Sequence, residues 1–215
     1  MVRTTLSLPK GIFDGLGINI SRNHDDGRLN SIDDEHTLIS KLESTCGLDV
    51  KRVKERHWYD VLVQGSPVQI KSSTGRTDNW SSKKALLYCL TDMSLEEIDA
   101  HSNKASEIQK SLCGSRRMAS DTAIKRDLDI LVIEKGNGGK VHHTRLCEMN
   151  SLTSNGSNLP FQINWKKNVF DKHPPVCRTQ DEAFRFIMSA YIESIRKKQK
   201  MDNLSLLEAA ISKDA

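Results

Sequence analysis

No stretch of the 215-residue chain approaches the roughly 18 uncharged apolar residues of a membrane span. The first nine residues carry no apolar h-region, so a secretory signal is not expected. The five cysteines, at 46, 89, 113, 147 and 177, form no C-x-x-C pair and are odd in number. That usage argues for reduced thiols in a cytoplasmic protein, against both a disulfide framework and a zinc site. Internal repeats and long low-complexity tracts are absent as well. The familiar short motifs fail one by one. Gly136-Asn-Gly-Gly-Lys140 lacks the span and the following Ser/Thr of a phosphate-binding loop and reads as a hairpin turn, so no nucleotide cofactor is expected. There is no G-x-S-x-G nucleophile elbow. His142, His143 and Cys147 match no common zinc spacing, since neighbouring strand residues point to opposite faces.

What is present suits one α/β domain. Apolar residues are 37% and charged residues 28%, enough for a single core under a strongly solvated surface. The net charge of +4, with a pI near 8.8, is compatible with a nucleic-acid partner without requiring one.

The order of elements follows from periodicity. A polar loop at 19–27 should lead into a helix capped by Ser31, with Asp33, Asp34 and Glu35 at its positive end. Ile32, Leu38, Ile39 and Leu42 should line its buried face, and Gly47 should stop it. A short strand is expected at 50–53. β-rich runs at 59–64 and 67–72 are split by Gly65-Ser66, a hairpin signal. A polar link at 73–79 leads to a helix at 81–90, and 94–112 holds one helix or two helical pieces. Residues 127–133 form the clearest buried strand, turned by 136–139 into a strand at 141–146, with one more at 162–165. Thr179 and Glu182 make a capping box for a helix whose buried stripe is Ala183, Phe184, Ile187, Tyr191 and Ile195. A short tail helix is expected at 204–212. This order describes a mixed central β-sheet flanked by helices.

The hairpin carries the candidate chemistry. With Gly65-Ser66 as its loop, Gln64 pairs with Pro67, Asp60 falls opposite Lys71, and Gln69 falls opposite Leu62. Strand alternation then sets Asp60, Gln69 and Lys71 on one face, while Val61, Val63, Val68 and Ile70 anchor the other in the core. A carboxylate and an amide oxygen are hard ligands suited to Mg²⁺. Such a metal polarises a phosphate and lowers the pKa of a bound water, which Lys71 could orient or deprotonate. The bland alternative is a cross-strand Asp60–Lys71 ion pair worth about 0.2–1 kcal/mol. That alternative explains poorly why Gln69 and Lys71 interrupt so apolar a strand.

At these residues the chain resembles the PD-(D/E)XK nuclease superfamily, specifically type II restriction endonucleases. The resemblance rests on Tyr59-Asp60, Gln69-Ile70-Lys71 and the polar run from Ser72 to Asn79. It extends upstream to residues 28–35 and downstream to 159–165 before the Thr179 helix, loosely covering 28–196. It implies a restriction-endonuclease-like fold over 1–215, with a catalytic core at about 28–135 and recognition or dimer elements at about 136–215. It also implies Mg²⁺ dependence, double-stranded DNA as substrate, a homodimer, and an upstream helix acid near the metal, here Glu35, with Asp33 and Asp34 as neighbours that could replace it. Two positions depart from the pattern. Gln69 stands at the second acidic position, so metal affinity should be low until DNA phosphate arrives, and Tyr59 replaces the proline.

Several residues are candidate DNA contacts. Arg76, Asn79, Lys83 and Lys84 follow the catalytic strand, and Arg and Asn are residue types that read guanine and adenine. A polar loop and a solvated helix face explain them equally well. Arg116 and Arg117 flank a loop, and Asn164 and Lys166 belong to a further cluster. The group Lys51, Arg52, Lys54, Arg56, His57 and Trp58 suits a phosphate-tracking surface or a charge-protected strand edge.

Overall fold

A computed structural model describes residues 8–45, 47–54, 57–114, 126–157, 159–171 and 173–211, with 45 and 202–211 as backbone alone. Along the chain run α1 (Gly27–Thr45), β1 (Val50–Arg52), β2 (Val61–Val63), β3 (Ser66–Ser73), β4 (Thr77–Trp80), α2 (Lys84–Leu90), α3 (Leu95–Ala100) and α4 (Ala105–Gly114). There follow β5 (Asp129–Glu134), β6 (Lys140–Arg145), β7 (Phe161–Asn164) and α5 (Gln180–Ile211). The main sheet has the order β1-β2-β3-β5-β6, and β4 pairs with β7 in a separate ribbon. Only β3 and β5 run parallel, which makes the sheet mixed. The parallel pair requires a long crossover, and β4 with α2, α3 and α4 supplies it.

The centre of the sheet, β3 and β5, is buried on both faces. One core joins Val61, Val63, Val68 and Ile70 to Leu38 and Leu42 of α1 and to Phe13 of the N-terminal segment. The other packs Ile130 and Val132 of β5 against Leu86, Leu90, Ile108, Ile187 and Tyr191. β5 is therefore an almost continuous apolar run, as expected for a strand covered on both faces. The N-terminal segment closes the β6 edge, where Ile18 N–H donates to Gly139 O at 3.0 Å. Any Cβ at Gly139 would collide with the Ile18 carbonyl oxygen, so only glycine fits there.

Several expectations are corrected. α1 starts at Gly27, not after Ser31, because Asp26 Oδ1 accepts the Arg28 N–H at 2.8 Å and caps it. Ser31 lies inside the helix and donates to Gly27 O, and Asp33, Asp34 and Glu35 sit beyond the first turn. Ile32 is 47% exposed, whereas Asp34, one turn before Leu38, is fully buried. The 73–79 link contains β4, whose partner β7 is distant in sequence. The region 94–112 divides into α3 and α4, with Ser94 and Glu97 forming a capping box. The second helical run begins at Lys84, and the tail joins α5 without a break. Among the described residues no helix is long and apolar enough to cross a membrane.

Candidate functional site

The hairpin register differs from expectation by one residue on each strand. Val63 pairs with Ser66, so the loop is Gln64-Gly65. Both loop residues have positive φ, 52° and 76°, the geometry of a type I′ turn. Pro67 pairs with Leu62 and precedes the β5 pairing, which begins at Val68, so its missing N–H costs no ladder bond. The slip moves the summed register by an even number and leaves side-chain faces unchanged. The paired register ends at Val61–Val68, so Asp60 lies just outside β2 and is ladder partner to neither Lys71 nor Gln69.

Beyond Val68 the β2 side of β3 is open. The last backbone bond is Asp60 N–H to Val68 O at 3.0 Å. Next along the edge, the Ile70 N–H donates to Asp60 Oδ2 at 2.6 Å. The Asp60 carboxylate thus caps a strand edge that has lost its partner, and this fixes its position. Burial pushes its pKa up, opposed by the Lys71 ammonium, the Ile70 bond and His57.

Gln69 is 8% exposed, and its Oε1 is buried with no hydrogen-bond partner among the described residues. An orphaned buried acceptor costs about 1–3 kcal/mol, so it calls for an occupant. Glu35 approaches from α1. Its pKa is raised to about 7, first by burial and then by the charge of Asp60, with Asp34 adding and Lys71 and Lys135 opposing. Glu35, Asp60 and Lys71 therefore share one electrostatic neighbourhood. A cavity of about 400 Å³ is lined in part by Glu35, His36, Arg52, His57 and Asp60, while Gln69 and Lys71 are not among its lining residues.

Asp34 does different work. Its Oδ1 accepts the Ser21 N–H at 2.7 Å and its Oδ2 the Ser72 hydroxyl at 2.9 Å, with Lys135 Nζ at 3.4 Å. These bonds tie α1 to β3 and to the end of β5. Asp33 Oδ2 is bound by Ser21 Oγ and His24. Of the three neighbouring acids, Glu35 is the one facing the cavity. The carboxyl groups of Glu35 and Asp60, which line one cavity, and the partnerless amide oxygen of Gln69 are donor types that suit a hard divalent cation.

The DNA-contact candidates divide. Asn79 and Asn164 lie on the outer face of the β4–β7 ribbon, with Arg76 exposed just before it. Lys166 is exposed and pairs with Asp171 at 2.6 Å. Lys83 and Lys84 are half-buried, and Lys84 Nζ donates to Asp99 O at 2.8 Å near the end of α3. Arg116 and Arg117 lie outside the described residues.

Hairpin reasoning missed Lys135, Ser72 and the orienting part of Asp34, because only the parallel β3–β5 register brings 135 beside 72–73. His57, taken from the sequence as part of a basic surface group, lines the cavity instead. Cys89, Asp127 and Cys147 also meet in the core with ligand atoms within 4.8 Å of one another. Asp127 there accepts the Leu128 and Cys147 N–H groups and the Cys89 thiol, so its lone pairs are already engaged. His142 and His143 pair separately with Glu134 and Asp129, each at 2.8 Å. Comparison of the chain with protein-family models, with curated proteins and with solved structures finds no match.

Proposed function

We propose that this protein is an Mg²⁺-dependent, sequence-specific double-strand DNA endonuclease of the type II restriction class, with a restriction-endonuclease-like fold. The observation that carries the reading is the buried, unpartnered Gln69 Oε1 on β3, two residues before Lys71, which shares one electrostatic neighbourhood with Asp60 and Glu35. Asp60 and Gln69 would hold Mg²⁺, which supplies a Lewis acid for the phosphate and a lowered pKa for water. Lys71 places an ammonium N–H against a phosphate oxygen or the attacking water, where negative charge grows in the transition state. Glu35, poised near neutral pH, takes up the proton that the water releases. The products are a 5′-phosphate and a 3′-hydroxyl. A homodimer matched to a two-fold DNA site is the simplest way to cut both strands.

One observation favours a second reading. Gln69 removes a negative charge from the donor set, as it would in a DNA-binding module that had lost catalysis. A nuclease of the same fold with structural rather than sequence specificity is a third outcome of the same test. Purified protein is incubated with long duplex DNA in Mg²⁺ or EDTA, beside Lys71→Ala. Discrete fragments that need Mg²⁺ and disappear in the variant support the proposal. A smear supports structure-specific or non-specific cutting. Salt-sensitive binding without cutting supports the module.

A further inference from the structure

Along β4 and β7 the side chains alternate. Trp80, Phe161 and Ile163 are buried and hold the inner face. Register pairs Asn79 with Gln162 and Thr77 with Asn164, so four uncharged polar side chains form the outer face. Their hydrogen-bond polarity is set from the backbone. The Ser157 N–H can only donate, and it donates to Asn155 Oδ1 at 3.0 Å. The Asn155 amide group therefore donates in turn, to Asn79 Oδ1 at 3.2 Å. Gln162 Nε2 donates to the same oxygen at 2.9 Å. The Asn79 NH₂ and the Gln162 side-chain carbonyl have no hydrogen-bond partner among the described residues, which leaves a donor and an acceptor on adjacent paired residues. The next pair is anchored the same way. The Lys167 N–H donates to Asn164 Oδ1 and Asn164 Nδ2 to Thr77 Oγ1, both at 2.9 Å. The Thr77 hydroxyl hydrogen and methyl group remain for a ligand.

We propose that this outer face reads an adenine in the major groove of duplex DNA, Asn79 donating to N7 and Gln162 accepting from the N6 amino group. The inference deepens the nuclease reading and rests on it for the choice of DNA as ligand. Adenine alone offers an acceptor and a donor side by side on one base edge. Guanine presents two acceptors there, and its O6 repels the Gln162 carbonyl. Two strands about 4.8 Å apart enter a groove about 12 Å wide. The ribbon itself carries no charge on this face, while Arg76 and Lys167 at its end are exposed and basic, as base reading flanked by phosphate contacts requires.

Continuity with the candidate active site supports the same occupant. β4 follows β3 through a turn at Gly75, whose φ of 94° and contact with the Phe170 ring suit glycine. The turn is tied down by Trp165 N–H to Arg76 O at 3.3 Å and Lys166 N–H to Gly75 O at 3.2 Å. The chain from Lys71 to Thr77 spans at most about 20 Å. At 3.4 Å per base pair, cleavage falls within about six base pairs of the adenine.

The test selects short duplexes with a randomised centre on the full-length Lys71→Ala protein in Mg²⁺. The enriched duplexes are then remade with 7-deazaadenine, or with purine in place of adenine, at each enriched position. The expected result is an enriched adenine where either analogue weakens binding by about 5- to 150-fold, the range of one bidentate base contact. In Asn79→Ala and Gln162→Ala backgrounds the analogues should cost nothing further, and the adenine preference should relax. Because the analogues leave the protein untouched, a folding defect cannot imitate this result. An enriched site indifferent to both analogues, or variants that keep the adenine preference, overturns the inference while leaving the nuclease reading standing. Adenine-dependent binding by a wild-type protein that never cuts keeps the inference and sinks the enzyme. Absence of duplex binding overturns both.

Discussion

Asp34 and Glu35 are consecutive on α1, yet one is a strut and the other faces a cavity. Asp34 is fully buried and spends its oxygens on Ser21, Ser72 and Lys135. Glu35 lines the cavity with Asp60 and His57 and is held at a pKa of about 7. The difference is one of direction, since adjacent helix residues point about 100° apart. Asp34 stacks over Leu38 and Leu42 on the inner stripe, while Glu35 is turned toward the cavity that Asp60 and His57 also line.

The raised Glu35 pKa makes a stability prediction. Its folded value, about 7, lies above the ordinary 4.5, so the folded state holds the proton more tightly. The Glu35 contribution to stability is greatest below pH 4.5, falls as pH rises from 4.5 to 7, and levels off above. Glu35→Gln should therefore stabilise the metal-free protein at pH 8, by at most about 3 kcal/mol, and not at pH 4. Urea melts at both pH values check it. Equal effects at both would show that ionisation is not the cause.

The same substitution should lower cleavage while raising stability, a trade-off expected where a site stores unfavourable charge. Lys71→Ala should cost about 10²–10⁴ in cleavage rate, with the melting temperature nearly unchanged because Lys71 is not a core residue. A parallel collapse of folding would mark Lys71 as structural.

Gln69→Glu restores a second acidic ligand. It should reduce the Mg²⁺ concentration needed for cleavage by on the order of tenfold and give metal-dependent thermal stabilisation without DNA. Mg²⁺ titrations monitored by melting temperature and by cleavage test this. A variant that gains no Mg²⁺ response in either assay argues against metal at this position.

Asp129 is fully buried and accepts from Leu8 N–H, His143 and Arg145 Nε. It braces the N-terminal segment against β5 and β6, on elements other than those lining the cavity. Asp129→Ala leaves Arg145 without its buried partner and should cost about 3–5 kcal/mol. Cleavage per folded molecule should stay at the wild-type level. Denaturant melts alongside active-site-normalised rates separate the two effects.

The hairpin shows how far local reading reaches. The alternation of Val61, Val63, Val68 and Ile70 predicts their shared core face, and that face is observed. The register was not legible, because Gln64 at φ 52° is an uncommon choice for a type I′ turn and Gly65-Ser66 is the stronger local signal. Since the slip is even overall, the faces of the paired residues survived, while Asp60 fell just outside the paired strand. β4 was hidden because Asp78 and Asn79 have little strand propensity, and its pairing with β7 comes from outside the segment. Ile32 fits the helical period but lies outside, because the stripe centred on Asp34, Leu38 and Leu42 meets the sheet instead.

By itself the sequence determined the mixed α/β class, the shared core face of Val61, Val63, Val68 and Ile70, and the capping box at Thr179. These depend on periodicity and neighbours within a few residues. Tertiary structure alone decided that Glu35 faces the cavity, that Asp34 and Lys135 brace it, and that Asn79 meets Gln162 on an exposed ribbon. Each of those contacts joins segments far apart in sequence, and their register is set by packing across the whole sheet, which no local pattern records.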